Sequence, residues 1–233
     1  MQFHLNGLQT GDPAIHDANG ESADTDRLSK EVDVLIVGSG PAGLTLAAQL
    51  SAFPEIKTLI VEQKDGPLKL GQADGIACRT MEMFEAFGFS ERVLKEACWI
   101  SETVFWKPDE TNRQNIVRSG RIQDTEDGLS EFPHVVLNQA RVHDFYLDVM
   151  RHSPSRLRPH YSRRLVDLEI DPDKSAAVTL GAVDYPVKAV LERTDLANEG
   201  ERETVRARYV VGCDGARSAV RNSLGRSLHG DSV

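Results

Sequence analysis

Three glycines spaced as G-x-G-x-x-G can shape the backbone around a phosphate. Gly38, Gly40 and Gly43 follow a short β-branched run and precede a stretch of small and apolar residues. Glycine at the first position permits a tight turn, the second lets the backbone approach a pyrophosphate, and the third allows a helix to pack closely on a strand. The helix start presents N–H groups and a partial positive charge to phosphate oxygens. The spacing predicts a dinucleotide-binding loop that also contains Pro41 and Ala42.

An acidic residue, Glu62, closes the next β-branched run. Its distance from the glycine loop is the one expected of a ribose-binding carboxylate. A carboxylate there accepts hydrogen bonds from both ribose hydroxyls and repels a 2′-phosphate, so the pair favours FAD or NAD over NADP. Gln63, the next residue, is included in the predicted site. The alternative interpretation of Glu62 is an incidental acid on the surface.

A second polar segment, GQADGIACR, follows this strand and enters a helix. Gly71 and Gly75 let the chain bend sharply beside a flat ligand. Asp74, between them, is a carboxylate that can point into a cavity, and Gln72 belongs to the same turn. Arg79, in the first turn of the helix, offers a planar guanidinium to phosphate or ribose. The alternative is a plain turn with a helix-capping acid and a surface arginine.

A third segment, VVGCDGARS, runs from a strand through a carboxylate and a glycine turn into a helix. Ligands of open α/β sheets bind outside the carboxyl ends of the strands, so Asp214 is placed to meet one. Its carboxylate can accept from ribityl hydroxyls, and Gly215 completes the turn. Arg217 and Arg221 are predicted one helical turn apart on the same face. The alternative for Asp214 is a helix N-cap, and both roles can hold at once.

Helices and strands must position these segments, and the apolar patterns predict both kinds. The first strand, helix and second strand form a unit of about 30 residues, which forces a right-handed parallel crossover. The fold class is therefore α/β, a Rossmann-like FAD/NAD(P)-binding fold with a parallel sheet, helices and an added antiparallel β portion. The predicted helices cover 44–53, 79–87, 90–97, 139–152 and 216–224, and the predicted strands 32–37, 58–62, 165–170, 177–180, 187–193 and 204–211.

The bulk composition excludes some classes of partner. A net charge of −9 argues against nucleic acid or an anionic membrane as the main partner. The three cysteines form no CxxC pair, which favours a reducing compartment, by default the cytoplasm. The seven histidines lack metal-ligand spacing, so no metal site is predicted. Trp99, Phe105 and Trp106 are interpreted as core residues.

The three segments together resemble a known family. GSGPAGL, GQADGIACRT and VVGCDGARSAVR, in this order and spacing, are similar to the motifs of the class A flavoprotein aromatic hydroxylases. Within that family they look most like the phenol 2-monooxygenase and 3-hydroxybenzoate 4-monooxygenase branch. The resemblance runs from about residue 32 to the end of the chain. It implies an FAD-dependent monooxygenase that hydroxylates a phenolic compound with O2, with FAD bound and NADPH as a transient reductant.

The resemblance also implies roles for individual residues. Asp74 matches the acid that assists deprotonation of the phenol, which makes the ring a better nucleophile. Arg141 matches a lesser cofactor contact. The residues implied in cofactor binding are Gly38, Gly40, Pro41, Ala42, Gly43, Glu62, Gln63, Gln72, Arg79, Gln139, Asp214 and Gly215.

The chain also departs from the family pattern, because a G-D-x-x-H turn that the family carries further along is missing. The predicted organisation is a disordered leader over 1–30, an FAD-binding domain over 31–228 with a β-rich insertion at about 161–208, and the start of a substrate domain at 229–233. The chain would then be truncated before the substrate domain is complete. Two alternatives stay open: a non-catalytic FAD-binding remnant, and an NAD-dependent dehydrogenase, against which the GQADG and DG motifs argue. A homodimer of the full-length protein is a further expectation.

Overall fold

A computed structural model describes residues 27–179 and 184–230, together with two short strands at 3–4 and 7–8. The chain divides into a smaller unit, Lys69–Val142, and a larger unit, Phe3–Leu68 with His143–Val233. Most of the predicted leader, 1–30, lies outside the described residues. At its end Leu28 is described, and it is buried in the core of the larger unit.

Helices and strands are interspersed along the described residues, as expected of an α/β protein. The strands are β1 (Phe3–His4), β2 (Gly7–Leu8), β3 (Glu31–Val37), β4 (Thr58–Val61), β5 (Gly75–Ile76), β6 (Cys98–Ile100), β7 (Glu102–Pro108), β8 (Ile116–Gln123), β9 (His134–Val136), β10 (Pro159–His160), β11 (Arg163–Ile170), β12 (Val187–Arg193) and β13 (Arg202–Gly212). The helices are α1 (Pro41–Leu50), α2 (Cys78–Ala86), α3 (Ser90–Glu96), α4 (Gln139–Arg151), α5 (Pro172–Thr179) and α6 (Ala219–Ser223).

The larger unit is built on a six-stranded sheet in the order β10-β4-β3-β13-β12-β11. The first four of these strands are parallel to one another, and β12 and β11 continue the sheet in antiparallel fashion from β13. The predicted α/β fold class, with a parallel sheet and an antiparallel portion, is confirmed. β1 pairs with β2 in a separate hairpin.

Of the parallel strands, β3 and β4 carry short apolar runs whose consecutive residues are buried, because both faces of the sheet are covered there. Leu35, Ile36 and Ile60 are fully buried. Continuous β-branched runs are typical of strands in that position, since no side faces water. Helix α1 turns small and apolar side chains towards the interior, and Leu44 and Ala47 are fully buried there. Helix α4 buries a stripe at helical spacing, made of Val142, Phe145, Tyr146, Val149 and Met150.

The smaller unit contains a three-stranded sheet, β5-β9-β6, and a hairpin of β7 and β8. Helices α2 and α3 pack through aromatic residues, with the ring centroids of Phe84 and Phe89 4.7 Å apart. Trp99, Phe105 and Trp106, predicted as core residues, are 61%, 49% and 60% exposed. That prediction is wrong. Phe105 and Trp106 lie in the two-stranded β7–β8 hairpin, which leaves much of its apolar surface uncovered, and Trp99 lies in β6, an edge strand of the three-stranded sheet.

The strand predicted at 177–180 is also wrong. Residues 177–179 are the last turn of α5, and residue 180 lies outside the described residues. The Asp171 carboxylate accepts hydrogen bonds from the backbone N–H groups of Asp173 and Lys174, and Pro172 stands at the helix start. An aspartate cap followed by proline favours a helix, which overrides the weak strand pattern of a short apolar run.

Close contacts at the glycine loop fix how α1 leaves β3. Gly38 has a φ of +101°, and a Cβ added there would lie 2.5 Å from the Cys213 carbonyl oxygen. A Cβ on Gly43 would collide with the Gly38 carbonyl oxygen. Gly40 differs, since its φ is −67° and a Cβ added there meets nothing within 4 Å. Two of the three glycines are therefore required by the fold itself, and the third is not.

We expect Gly43→Ala to lower the free energy of unfolding by about 1–3 kcal/mol, because backbone must move to admit the methyl group. Gly40→Ala should leave that free energy unchanged or raise it by up to about 1 kcal/mol, since the unfolded chain loses freedom. Urea denaturation followed by circular dichroism measures both. Equal destabilisation by the two substitutions would contradict the described packing.

Among the described residues, no helix combines the length and apolar character needed to cross a lipid bilayer.

Candidate functional site

The central feature of the candidate site is the alignment of the C-terminal ends of the parallel strands β4, β3 and β13 in the larger unit. In the register of the sheet, Val61 pairs with Val37, and Val37 pairs with Gly212. The Gly38 N–H donates to the Val61 carbonyl over 2.8 Å, and the Cys213 N–H donates to the Val37 carbonyl over 2.7 Å. Because the three strands are parallel, the residues that follow them emerge at one edge. The glycine loop, Glu62 and Asp214 are thereby brought to that edge.

The start of α1 provides donors at this edge. The first hydrogen bond within the helix runs from the Leu44 N–H to the Gly40 carbonyl over 2.9 Å. Pro41 carries no N–H, so Ala42 and Gly43 hold the N–H groups that precede this bond. The open space at Gly40 leaves the backbone accessible from outside. Unpaired N–H groups and a helix N-terminus suit an anion such as a pyrophosphate.

Glu62 is buried, with 9% of its surface exposed, and it is tied to the glycine loop. Its Oε2 accepts from the Ser39 backbone N–H at 2.9 Å and from the Ser39 hydroxyl at 3.0 Å. Its Oε1 accepts from the Lys64 N–H at 3.0 Å. An ionised carboxylate has about four lone-pair sites, so these three bonds leave room for a further donor. Gln63 is exposed, and its carbonyl accepts from the Thr194 hydroxyl at 2.9 Å.

Ser39 was not among the predicted site residues. It occupies a variable position of G-x-G-x-x-G, and nothing in the motif predicts a polar side chain there. Its two bonds to Glu62 nevertheless fix the carboxylate against the loop.

One carboxylate oxygen of Asp214 accepts hydrogen bonds from the start of α6, and the other has no partner among the described residues. Oδ2 accepts from the Ala219 N–H at 2.6 Å and from the Val220 N–H at 3.2 Å. Oδ1 is buried and has no hydrogen-bond partner among the described residues. A buried acceptor without a partner is costly, unless a ligand donates to it. The N-cap residue of α6 is Ser218, so Asp214 is not the N-cap that the alternative interpretation predicted, although its Oδ2 accepts from the first two N–H groups of the helix.

The residues after Asp214 differ from the predicted helix. Gly215 has a φ of +77°, which is the left-handed turn that glycine favours. Helix α6 begins only at Ala219, where Ser218 caps it by accepting from the Arg221 N–H at 3.0 Å. Arg217 therefore precedes the helix, so the predicted pairing of Arg217 and Arg221 on one helical face is wrong. The Arg221 guanidinium instead donates to the Ala216 carbonyl at 2.7 Å.

In the smaller unit, the GQADG turn is held against the start of α4. The Gln72 N–H donates to Gln139 Oε1 at 2.9 Å, and the Leu137 N–H donates to the Asp74 carbonyl at 2.9 Å. A Cβ on Gly71 would lie 2.5 Å from the Gln139 Cβ. The turn thus brings together Gln72, Asp74 and Gln139, which the sequence predicted as site residues. The Asp74 side chain is exposed.

Arg79 and Arg141, the two arginines of the smaller unit for which the sequence predicted a cofactor contact, are engaged by neighbouring acids. Arg79 is 91% exposed and pairs with Glu82 at 3.1 Å. A hydrogen bond from Ser130, and then the one from Arg79, lower the pKa of Glu82. Arg141 forms a two-pronged pair with Glu96 at 2.6 and 2.9 Å, which lowers the pKa of Glu96. An exposed pair such as Arg79–Glu82 is weak, so the guanidinium of Arg79 can exchange Glu82 for a stronger anion.

Comparison with curated proteins gives strong matches over nearly the whole chain. The chain is 65% identical over 234 residues to a 3-hydroxybenzoate 4-monooxygenase of Comamonas testosteroni, covering 100% of this chain and 35% of that protein. It is 30% identical over 206 residues to a phenol 2-monooxygenase of Aspergillus fumigatus, covering 87% of this chain and 31% of that protein. The chain thus spans about a third of the length of these relatives.

Solved structures agree in fold. The flavin-dependent monooxygenase PieE, in complex with FAD and substrate, matches with a TM-score of 0.68 and 26% identity, over 86% of this chain and 33% of that one. Aklavinone-11 hydroxylase, in a ternary complex with FAD and aklavinone, matches with a TM-score of 0.61 and 26% identity, over 85% of this chain and 36% of that one.

The model of the FAD binding domain family matches residues 31–233. This match favours the FAD-binding interpretation over the NAD-dependent dehydrogenase, and it confirms the resemblance expected from the three motifs. The chain belongs to the FAD-binding domain family, within the class A flavin hydroxylases.

Proposed function

We propose that the larger unit holds the adenosine and pyrophosphate groups of FAD at its sheet edge. The observation that carries the proposal is the register of β4, β3 and β13, which ends all three strands level with one another. The pyrophosphate would lie over Gly40 against the N–H groups of Ala42 and Gly43. The ribose hydroxyls would donate to the remaining lone pair of Glu62.

The hydrogen-bond donors and acceptors at the sheet edge suit the chemical groups of FAD. Backbone N–H groups and a helix N-terminus favour the anionic part of a dinucleotide, while carboxylates favour its hydroxyl groups. Asp214 Oδ1 is a buried acceptor without a partner in the described structure, and a ribityl hydroxyl would satisfy it. The turn at Gly215 would bring backbone close to the same ligand. Pro41 and Gln63 complete the proposed contacts of this unit.

For the smaller unit we propose contacts from Gln72, Arg79 and Gln139 to the cofactor. Gln139 is oriented by the Gln72 N–H, which fixes its side-chain oxygen. Arg79 offers an exposed positive charge whose partner in the structure, Glu82, forms only a weak surface pair with it. Asp74 is proposed as the base that takes the proton of a phenolic hydroxyl, because its carboxylate is exposed beside a turn that the Leu137 N–H holds in place.

The proposed reaction of the whole protein is the hydroxylation of a phenolic compound with NADPH and O2. FAD, when bound, supplies the redox chemistry by taking a hydride from NADPH and reacting with O2. The names of the relatives support a phenolic substrate, since one acts on 3-hydroxybenzoate and another on phenol. The chain's own residues bind and orient the cofactor, and Asp74 handles the substrate proton.

Two further statements belong to the same proposal. The described cysteines are free thiols, which supports a reducing compartment such as the cytoplasm. A homodimer of the full-length protein is proposed from the resemblance alone. The alternative function is a non-catalytic FAD-binding remnant, which the activity measurement below tests.

The cofactor assignment predicts that Gly40→Ala weakens FAD binding at least about tenfold, because a methyl group there blocks the approach of the pyrophosphate to the backbone. Titration of the purified chain with FAD, followed by flavin fluorescence, gives the dissociation constant. Gly66→Ala is the matched control, since a Cβ there also meets nothing within 4 Å and lies outside the loop. Unchanged affinity in Gly40→Ala would reject the proposed position of the pyrophosphate.

A second prediction concerns the ribose. Glu62→Gln should raise the FAD dissociation constant about tenfold, because the amide replaces a charged acceptor that has a lone pair to spare. Glu55→Gln, at an exposed position, should leave the constant unchanged. If both variants bind FAD as the unmodified chain does, Glu62 has no role in ribose binding.

The reaction is tested by NADPH oxidation of the FAD-loaded protein with and without 3-hydroxybenzoate or phenol. We expect a phenol to stimulate NADPH oxidation by the unmodified chain. The Asp74→Asn variant should lose this stimulation, and the control variant Asp65→Asn should retain it. FAD binding without any NADPH oxidation would support the non-catalytic alternative for this chain. A failure to bind FAD at all would reject the proposed function.

A further inference from the structure

Tyr146, on α4, is a buried tyrosine that the proposed contacts do not use. Only 1% of its surface is exposed. Its hydroxyl oxygen lies 2.8 Å from the Thr45 hydroxyl oxygen on α1. The Thr45 oxygen in turn lies 2.8 Å from the carbonyl oxygen of Pro41, one turn earlier in the same helix. These groups form a chain of hydrogen bonds that leads from the interior to the first turn of α1.

The direction of the two bonds follows from the number of hydrogens. Hydroxyl hydrogens rotate, so the distances between oxygens leave the direction of a hydroxyl–hydroxyl bond open. A carbonyl oxygen can only accept, and the single hydroxyl hydrogen of Thr45 is therefore donated to Pro41. This leaves the Tyr146 hydroxyl as the donor to the Thr45 oxygen. Burial raises the pKa of Tyr146, so its hydroxyl keeps this hydrogen at neutral pH.

The bond to the Pro41 carbonyl acts on a donor at the proposed position of the pyrophosphate. The Pro41 carbonyl and the Ala42 N–H belong to one peptide group, which is planar and directs them to opposite sides. A threonine hydroxyl that bonds the carbonyl four residues earlier tilts that carbonyl and bends the helix. The direction of the Ala42 N–H therefore depends on where the Thr45 oxygen is held, and Tyr146 holds it.

The hydrogens of this chain all run in one direction. Tyr146 donates to Thr45, Thr45 donates to Pro41, and the Ala42 N–H stands at the far end of the same peptide group. Hydrogen bonds aligned in this way polarise one another by about 10–30% per bond. The Ala42 N–H becomes a stronger donor as a result. Pro41 and Ala42 are exposed, so a ligand can reach this donor from outside.

We propose that Tyr146 is a positioning residue for the cofactor, which acts through Thr45 to orient the peptide group between Pro41 and Ala42 towards the pyrophosphate. The proposal rests on the FAD site proposed above and extends it to a residue on another helix. It assigns Tyr146 no contact with the cofactor. Its effect is exerted on affinity, through the orientation of a donor before binding.

The first test removes one hydroxyl at a time from the purified chain. Tyr146→Phe keeps the ring, and Thr45→Val keeps about the same side-chain volume. Each variant should raise the FAD dissociation constant about three- to tenfold, because the Ala42 N–H loses its fixed direction. Thr45→Ser retains the hydroxyl and should bind FAD within about twofold of the unmodified chain. Flavin fluorescence during titration with FAD gives the constants.

The matched control is Tyr185→Phe, which removes the hydroxyl of a half-buried tyrosine just before β12 in the same unit. It should leave FAD affinity unchanged. Equal affinity in Tyr146→Phe and the unmodified chain would overturn the inference while the proposed FAD site stands.

The double variant separates positioning from packing. If Tyr146 acts through Thr45, Tyr146→Phe should have no further effect on FAD affinity in a chain that already carries Thr45→Val. A tyrosine that only supports the packing of α4 would weaken FAD binding by the same factor in both backgrounds. That additive result would also overturn the inference.

A second measurement needs no FAD. The Ala42 amide nitrogen belongs to the same peptide group as the Pro41 carbonyl, so its signal in proton–nitrogen correlation spectra reports on the bonds that this carbonyl accepts. The Ala42 signal should move in Tyr146→Phe and in Thr45→Val, and it should stay in place in Tyr185→Phe. An unmoved Ala42 signal in Tyr146→Phe would overturn the inference even if the chain failed to bind FAD.

Discussion

The parallel pairing of β4, β3 and β13 is the constraint on which the rest of the larger unit depends. Backbone hydrogen bonds continue past the last paired residues, from Gly38 to Val61 and from Cys213 to Val37. The segments that follow β4, β3 and β13 therefore leave the sheet at the same level and in the same direction. Groups separated by as many as 176 residues in sequence, from Gly38 to Asp214, meet at one edge because of this register. A slip of one strand by one residue would turn every side chain to the other face.

The glycine loop serves two physical purposes that fall on different residues. Gly38 and Gly43 are required by packing, since backbone atoms of Cys213 and of Gly38 occupy the space of their side chains. A Cβ on Gly40 would meet no described atom within 4 Å, and the proposed pyrophosphate would occupy this space. Under the proposal, one sequence motif therefore contains both a folding requirement and a binding requirement. Substitutions at its three glycines separate the two.

The carboxylate oxygens at the sheet edge fall into two groups. Some accept hydrogen bonds from the protein itself, and the others are the proposed acceptors for a ligand. The Glu62 carboxylate accepts three hydrogen bonds from Ser39 and Lys64. One oxygen of Asp214 accepts hydrogen bonds from the start of α6. These internal bonds orient the carboxylates, and the oxygens left over define where donors of a ligand would bind. Orientation before binding lowers the entropy cost of association.

The sequence alone determined the family, the parallel strand–helix–strand unit and the predicted positions of Glu62 and Asp214, because these depend on local patterns and on the spacing of glycines. It misplaced residues 177–179, where an aspartate cap and a proline overrode a short apolar pattern, and it misjudged the exposed aromatic residues of the β7–β8 hairpin. Only the tertiary structure decided that Ser39 holds Glu62 and that one oxygen of Asp214 is buried without a hydrogen-bond partner among the described residues. The physical reason is that hydrogen-bond partners and burial are set by residues distant in sequence, which no local pattern specifies.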